Sequence, residues 1–144
     1  MTEIAFHFNA PDKVAYACRL LRKAVASKAR VVVTGDSATL GQLDVALWTF
    51  GALEFLPHCR SAANASVKAQ SPVYLTESSR ETPHQQVLVN LGGEVPAGFE
   101  RYERLIEVVT LDDDDRGQAR SRWKHYTDRG YPIVRHDLNL KPPT

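Results

Sequence analysis

At 144 residues the chain has the length of one domain and enough apolar residues to fill a core. Hydrophobic residues make up 43% and charged ones 24%, the composition of a soluble globular protein. The formal net charge is +1, so no global field drives the chain toward DNA or an anionic membrane, and electrostatic recognition has to be local.

Ile4, Phe6 and Phe8 alternate with Ala5 and His7, which predicts a first strand. "NAPD" at 9–12 then opens a helix over 11–27, with Asn9 as cap, Pro11 in the first turn and Asp12 near the positive end. Val14, Ala17, Cys18, Leu21 and Val25 recur on its inner face, while Arg19, Arg22 and Lys23 occupy the other. "RVVVTGD" at 30–36 reads as a buried strand, followed by a helix from Ser37 to about Phe50 that aligns Leu40, Leu43 and Leu47. "EFLPH" at 54–58 reads as a short strand stopped by Pro57, and 59–71 as a loop of small polar residues. Residues 72–78 and 86–92 predict two further strands around the polar loop 79–85. A helix is expected from about Gly98, turning Phe99, Tyr102, Leu105 and Ile106 inward, with "VVTL" at 108–111 as a short strand. The last helix spans about Asp113 to Arg129 and ends at Gly130; "YPIVRHDL" supplies a final strand or extended arm.

This alternation predicts an α/β fold with a mostly parallel central sheet flanked by helices on both faces. No linker divides 1–144, so a single domain is expected, with residues 141–144 as a flexible tail. The topology is that of a nucleotide-binding domain, yet a phosphate loop is missing. The first two strand–helix turns, "FHFNAPDK" and "VVVTGDSATLGQ", carry neither G-x-x-x-x-G-K-[ST] nor G-x-G-x-x-G, so no cofactor is expected. No G-x-S-x-G or H-E-x-x-H motif occurs, and no catalytic constellation emerges. His7 and His58 read as structural residues. Cys18 and Cys59 read as reduced thiols, and no second Cys/His pair accompanies "PHC" at zinc spacing. "MTEIAFHF" is too short and polar for a signal peptide, and no apolar run approaches the ~18 residues of a bilayer span, which leaves the cytoplasm.

Two stretches look like binding surfaces. In "LDVALWTFGALEFLPH" at 43–58, Trp48, Phe50 and Phe55 form either additional core or an apolar patch for a protein partner. In "DDDDRGQARSRWKHYTDRG" at 112–130, four-residue steps place Arg116, Arg120 and Lys124 on one stripe beside Trp123. Arg122, Tyr126 and Arg129 fall on the neighbouring arc. Forked Arg donors next to a flat indole suit a phosphate backbone with stacked bases or an acidic peptide ending in an apolar residue. Asp112–Asp115 read as a solvated run favouring a helix N-terminus. The residues alone therefore indicate a binding module for an anionic ligand.

The ordered set "IAFHF", "RVVV", "LDVALW" with "FLPH", "PV", "VLVNL" and "RSRWKHYTDRGY" resembles the chi subunit of bacterial DNA polymerase III holoenzyme. The pair "LDVALW" and "FLPH" is its most specific part. The resemblance implies a non-catalytic accessory subunit of the clamp loader, acting at replication forks in the bacterial cytoplasm. Its implied partners are the psi subunit, the acidic C-terminal tail of single-stranded-DNA-binding protein, and in some members a repair helicase at the psi-side surface. Contact with DNA is mainly indirect. Carried onto this chain, tail binding falls on Arg116, Arg120, Trp123 and Lys124, and psi binding on Trp48, Phe55 and Pro57. Trp123 stands where the family often has Tyr. The alternative is direct binding of single-stranded nucleic acid by the helix 113–129.

Overall fold

The computed structural model describes residues 2–49, 58–60, 72–79, 82 and 84–138. Strands β1 (Glu3–Ala10), β2 (Val31–Thr34), β3 (His58–Arg60), β4 (Val73–Thr76), β5 (Val87–Asn90), β6 (Arg104–Thr110) and β7 (Ile133–Asp137) form one sheet. Their order is β3-β4-β2-β5-β6-β1-β7, and every neighbouring pair runs parallel. Helices α1 (Lys13–Ala26) and α2 (Ser37–Thr49) cover one face, and α3 (Asp113–Asp128) covers the other.

The period-2 alternation of the strands sorts side chains between the two faces. Val31, Val33, Val87, Val89, Ile106 and Val108 pack with Ala17, Leu21, Leu40, Leu43 and Leu47 under α1 and α2. Val32, Leu88, Leu105 and Val109 turn the other way, toward Ala119 and Tyr126 of α3. The central strands are buried on both faces, so they read as unbroken apolar runs.

Three local readings are corrected. The helix expected from Gly98 is a single 3-10 turn, Phe99–Arg101, followed by β6. Leu105 and Ile106 are both buried, but on opposite faces of the sheet, as only a strand allows. Asn9 does not cap α1: it closes β1 with φ of 67° and donates to Asp137 Oδ1 at 2.8 Å. The cap is Asp12, which accepts from the Ala15 amide at 3.0 Å, and the helix begins after Pro11. Cys59 and Arg60, read as loop, continue β3 beside β4; residues 54–57 and the expected tail at 141–144 lie outside the described residues. At the far end α3 stops as expected, with Gly130 at φ of 80° and the Tyr131 amide returning to the Tyr126 carbonyl at 3.1 Å.

A buried polar network sets α3 on the sheet. Glu107 is fully buried in β6, on the side facing α3. Its Oε1 accepts from Arg122 Nε at 3.0 Å and Asn90 Nδ2 at 2.9 Å, and its Oε2 accepts from the Tyr126 hydroxyl at 2.5 Å. Arg122 is 1% exposed and also donates through Nη1 to the Gly93 carbonyl at 3.0 Å. Burial pushes the Glu107 carboxyl up, while Arg122, Tyr126 and Asn90 draw it back down. Burial and the adjoining carboxylate push the Tyr126 hydroxyl up, so it remains a donor.

On the other face, His7 Nδ1 lies 2.5 Å from the Tyr16 hydroxyl, and the His7 ring sits 4.5 Å from that of His136. Burial, then His136, Lys23 and Arg104, lower His7 to about 4.

The buried Glu107–Arg122 pair and the half-buried His7 affect stability separately. Arg122→Ala should lower stability by ~3–5 kcal/mol in urea denaturation, because it strands the Glu107 charge. The paired change Glu107→Gln with Arg122→Met should cost less than Arg122→Ala alone. For His7, the unfolded chain takes up a proton first as pH falls below 6.5, so stability should decline from there toward about 4. Denaturation across that window should show a shallower decline in His7→Gln than in the wild type.

Candidate functional site

The candidate surface is the flank of α3 that remains outside the core. With ~100° per residue, Ala119, Arg122 and Tyr126 define the inward direction. Arg116 and Trp123 fall on one flank, Arg120 farther out, and Lys124 nearly opposite the core. Burial follows this order: Arg116, Arg120 and Lys124 are exposed, and Trp123 is half-buried. Arg122 and Tyr126, which sequence reading placed on the basic arc, belong to the interior. The structure thus brings Arg116, Arg120 and Trp123 onto one flank and turns Lys124 away from the indole.

Trp123 is fixed from below. Its ring lies 5.1 Å from Phe6 of β1, and the Arg135 guanidinium of β7 sits 5.8 Å from its centre. Arg135 also lies 5.3 Å over the ring of Phe8. The guanidinium is therefore held against two aromatic rings, which orients its donor edge at little entropic cost. The Arg135 side chain makes no hydrogen bond or ion pair among the described residues. Sequence reading missed Arg135 because it reaches Trp123 through strand pairing. In the register of β1 with β7, Phe6 stands opposite Arg135, a long-range fact that local pattern does not contain.

The four aspartates divide by role. Asp112 caps α3, accepting from the Asp115 amide at 3.0 Å. Asp115 accepts from the Thr110 amide at 2.8 Å, the Thr110 hydroxyl at 2.9 Å and Lys13 Nζ at 3.0 Å. Burial opposes the Asp115 charge, but the Thr110 amide and Lys13 hold the carboxyl below its ordinary value. Asp113 and Asp114 face solvent in the first turn, where the helix dipole favours them.

Trp48 falls in the last turn of α2, but its side chain, together with Phe55 and Pro57, lies outside the described residues.

The crevice at the carboxyl ends of β2, β4 and β5, where α/β sheets bind nucleotides, has a volume of about 410 Å³. Asp36, Glu77 and Glu94 line it, a set that repels phosphate. A Cβ on Gly35 would lie 3.4 Å from Leu91 Cβ, so this glycine serves packing between the β2 and β5 ends. Among the described residues no cluster of three or more His, Cys, Asp or Glu is placed to hold a metal, and no helix is long and apolar enough to cross a membrane.

The family model described as DNA polymerase III chi subunit, HolC, matches residues 1–134. DNA polymerase III subunit chi of Pseudomonas aeruginosa is 32% identical over 143 residues, covering 96% of this chain and 98% of the relative. The chi subunit of Haemophilus influenzae is 26% identical over 119 residues, covering 81% of each. In fold alone, the chain is similar to the C-terminal domain of the DEAD-box protein Dbp5, with a TM-score of 0.58 and 13% identity over 96% of this chain and 91% of that one. With the family's pattern running through β1 to the middle of β7, this chain belongs to the DNA polymerase III chi subunit family, a replication accessory subunit.

Proposed function

We propose that this protein links the clamp loader of DNA polymerase III to the acidic C-terminal tail of single-stranded-DNA-binding protein, and that α3 holds the tail. The observation that carries this reading is the flank of α3, where exposed Arg116 and Arg120 stand beside a half-buried Trp123 braced by Phe6. The Arg forks meet aspartates and a terminal carboxylate, and the indole shelters an apolar terminal side chain. Such a site needs no net positive charge on the whole chain. A separate surface that includes Trp48, Phe55 and Pro57 meets psi, and in some members a repair helicase joins there.

The competing reading is direct binding of single-stranded nucleic acid by α3. The formal net charge of +1 counts against it, since a polynucleotide is held by many cationic contacts at once.

A synthetic acidic peptide ending in Phe should bind the wild type and weaken as salt rises. Arg120→Ala should cost ~1.5–3 kcal/mol of binding in fluorescence anisotropy, the worth of a charge-assisted hydrogen bond. Lys124→Ala should cost less, within the ~0–1 kcal/mol of an exposed pair, because Lys124 points away from Trp123. If neither change moves the affinity, α3 is not the site. Tight binding of a single-stranded oligonucleotide without peptide would select the competing reading. Trp48→Ala should weaken psi binding and leave peptide affinity unchanged; a loss of peptide binding instead would refute the two-surface arrangement.

A further inference from the structure

The basic surface does not stop at α3. Behind Arg135 a groove of about 980 Å³ runs over the bulged end of β1 and along α1, between that helix and the β1–β7 edge of the sheet. Phe8 and Arg135 stand at its mouth, and Arg19 and Lys23 line its wall. These two side chains are one helical turn apart on α1 and both are exposed. Neither the Arg19 nor the Lys23 side chain makes an ion pair or hydrogen bond among the described residues, whereas the nearby Glu3 is engaged by Arg104 at 3.6 Å and Asp137, which also lines the groove, accepts from Asn9. Leu20 and Leu138 give the groove an apolar side. On the sheet wall His136 of β7 lies beside His7.

We infer that this groove is a second contact surface for the same acidic partner. Arg135 marks the turn from the α3 flank into it, and Arg19 with Lys23 receives the acidic residues that precede the tail's end. The inference rests on reading α3 as the tail site. Two observations favour an extended acidic peptide as the occupant. The groove is continuous with the α3 flank through one residue, Arg135, which lies over Trp123 on one side and lines the groove on the other. Its charged lining is mostly cationic, Arg19, Lys23 and Arg135 against the carboxylate of Asp137, and its rings Phe8 and Tyr16 already contact Arg135 and His7. A polynucleotide would find phosphate partners there, but its bases would have to compete with Arg135 and His7 for the rings. An extended segment of ~6 residues spans ~20 Å, ample to turn from a helix flank to the adjoining groove.

The test uses the full chain and two synthetic peptides that share the same Phe-ended acidic terminus, one of them extended upstream by ~6 mostly acidic residues. Wild type should bind the long peptide about fivefold more tightly than the short one at low salt, the sum of two exposed ion pairs. The double variant Arg19→Ala with Lys23→Ala should bind both peptides alike, with its affinity for the short peptide unchanged, which also shows that the variant is folded. Arg135→Ala should weaken both peptides. Equal affinity of wild type for the two peptides overturns the second contact and leaves the α3 reading standing. No binding of either peptide overturns both. Peptide binding indifferent to Arg19 and Lys23, alongside oligonucleotide binding that depends on them, overturns the inference and assigns the groove to nucleic acid.

Discussion

Everything at the candidate surface depends on one buried carboxylate. Glu107 lies in the middle of the sheet and is fully screened from water, a position that disfavours its charge unless donors are supplied. Arg122 and Tyr126, one turn apart on α3, supply two of them. Two attachments to one carboxylate fix both the height of the helix and its rotation about its own axis. Turning α3 by one residue step, ~100°, would bury Trp123 and expose Arg122. That turn would also take Ala119 and Tyr126 out of the core and carry Arg120 into it, exchanging a paired buried arginine for an unpaired one. The ion pair selects against it. Its contribution is then specificity of packing more than stability, because buried pairs of this kind often add little net energy.

The rotation it selects is what leaves an indole at the rim with arginines beside it. Trp123 rests on Phe6 and contributes to the core while retaining an exposed part, and Arg116 and Arg120 project from the same flank. The opposite face of the sheet has a different character. There α1 and α2 close over an aliphatic layer of Val and Leu, which holds the strands in place without presenting chemistry on its inner side. Charge returns at the β1–β7 margin, where α1 no longer covers the sheet and Arg19, Lys23 and His136 come into view.

The strands and helices whose burial follows a simple period were legible in the sequence. β1, β2, α1 and α2 stand close to where their patterns put them, and Leu40, Leu43 and Leu47 are buried as expected. Failures came where a residue's role is set by a distant partner. Phe99, Tyr102 and Ile106 have helical spacing, but β6 is recruited as a strand by β5 and β1 on either side. Arg122 looked like a surface cation because its partner, Glu107, is fifteen residues away in another element. Arg135 had no visible role before the register of β7 was known. On the candidate surface, the nearness of Arg116 and Arg120 to Trp123 could be read from spacing, whereas the inward turn of Arg122 could not.

The aspartates preceding α3 illustrate how an apparent conflict in sequence resolves in three dimensions. Four carboxylates ahead of a basic stripe suggest competition with an acidic ligand. Two are already spent: Asp112 on the first turn of the helix, and Asp115 on Thr110 and Lys13. Asp115 thereby ties the starts of α1 and α3 together across the ends of β5 and β6, with Lys13 also donating to the Leu91 carbonyl at 3.1 Å. Asp113 and Asp114 remain in solvent. Asp113 is three residues from Arg116, close enough for an exposed pair worth a few tenths of a kcal/mol. No such pair occurs among the described residues. That energy is small beside a charge-assisted bond from a bound carboxylate, so the first turn can keep its favourable dipole and still leave Arg116 open to a ligand. The acidic run therefore anchors the basic helix without neutralising it.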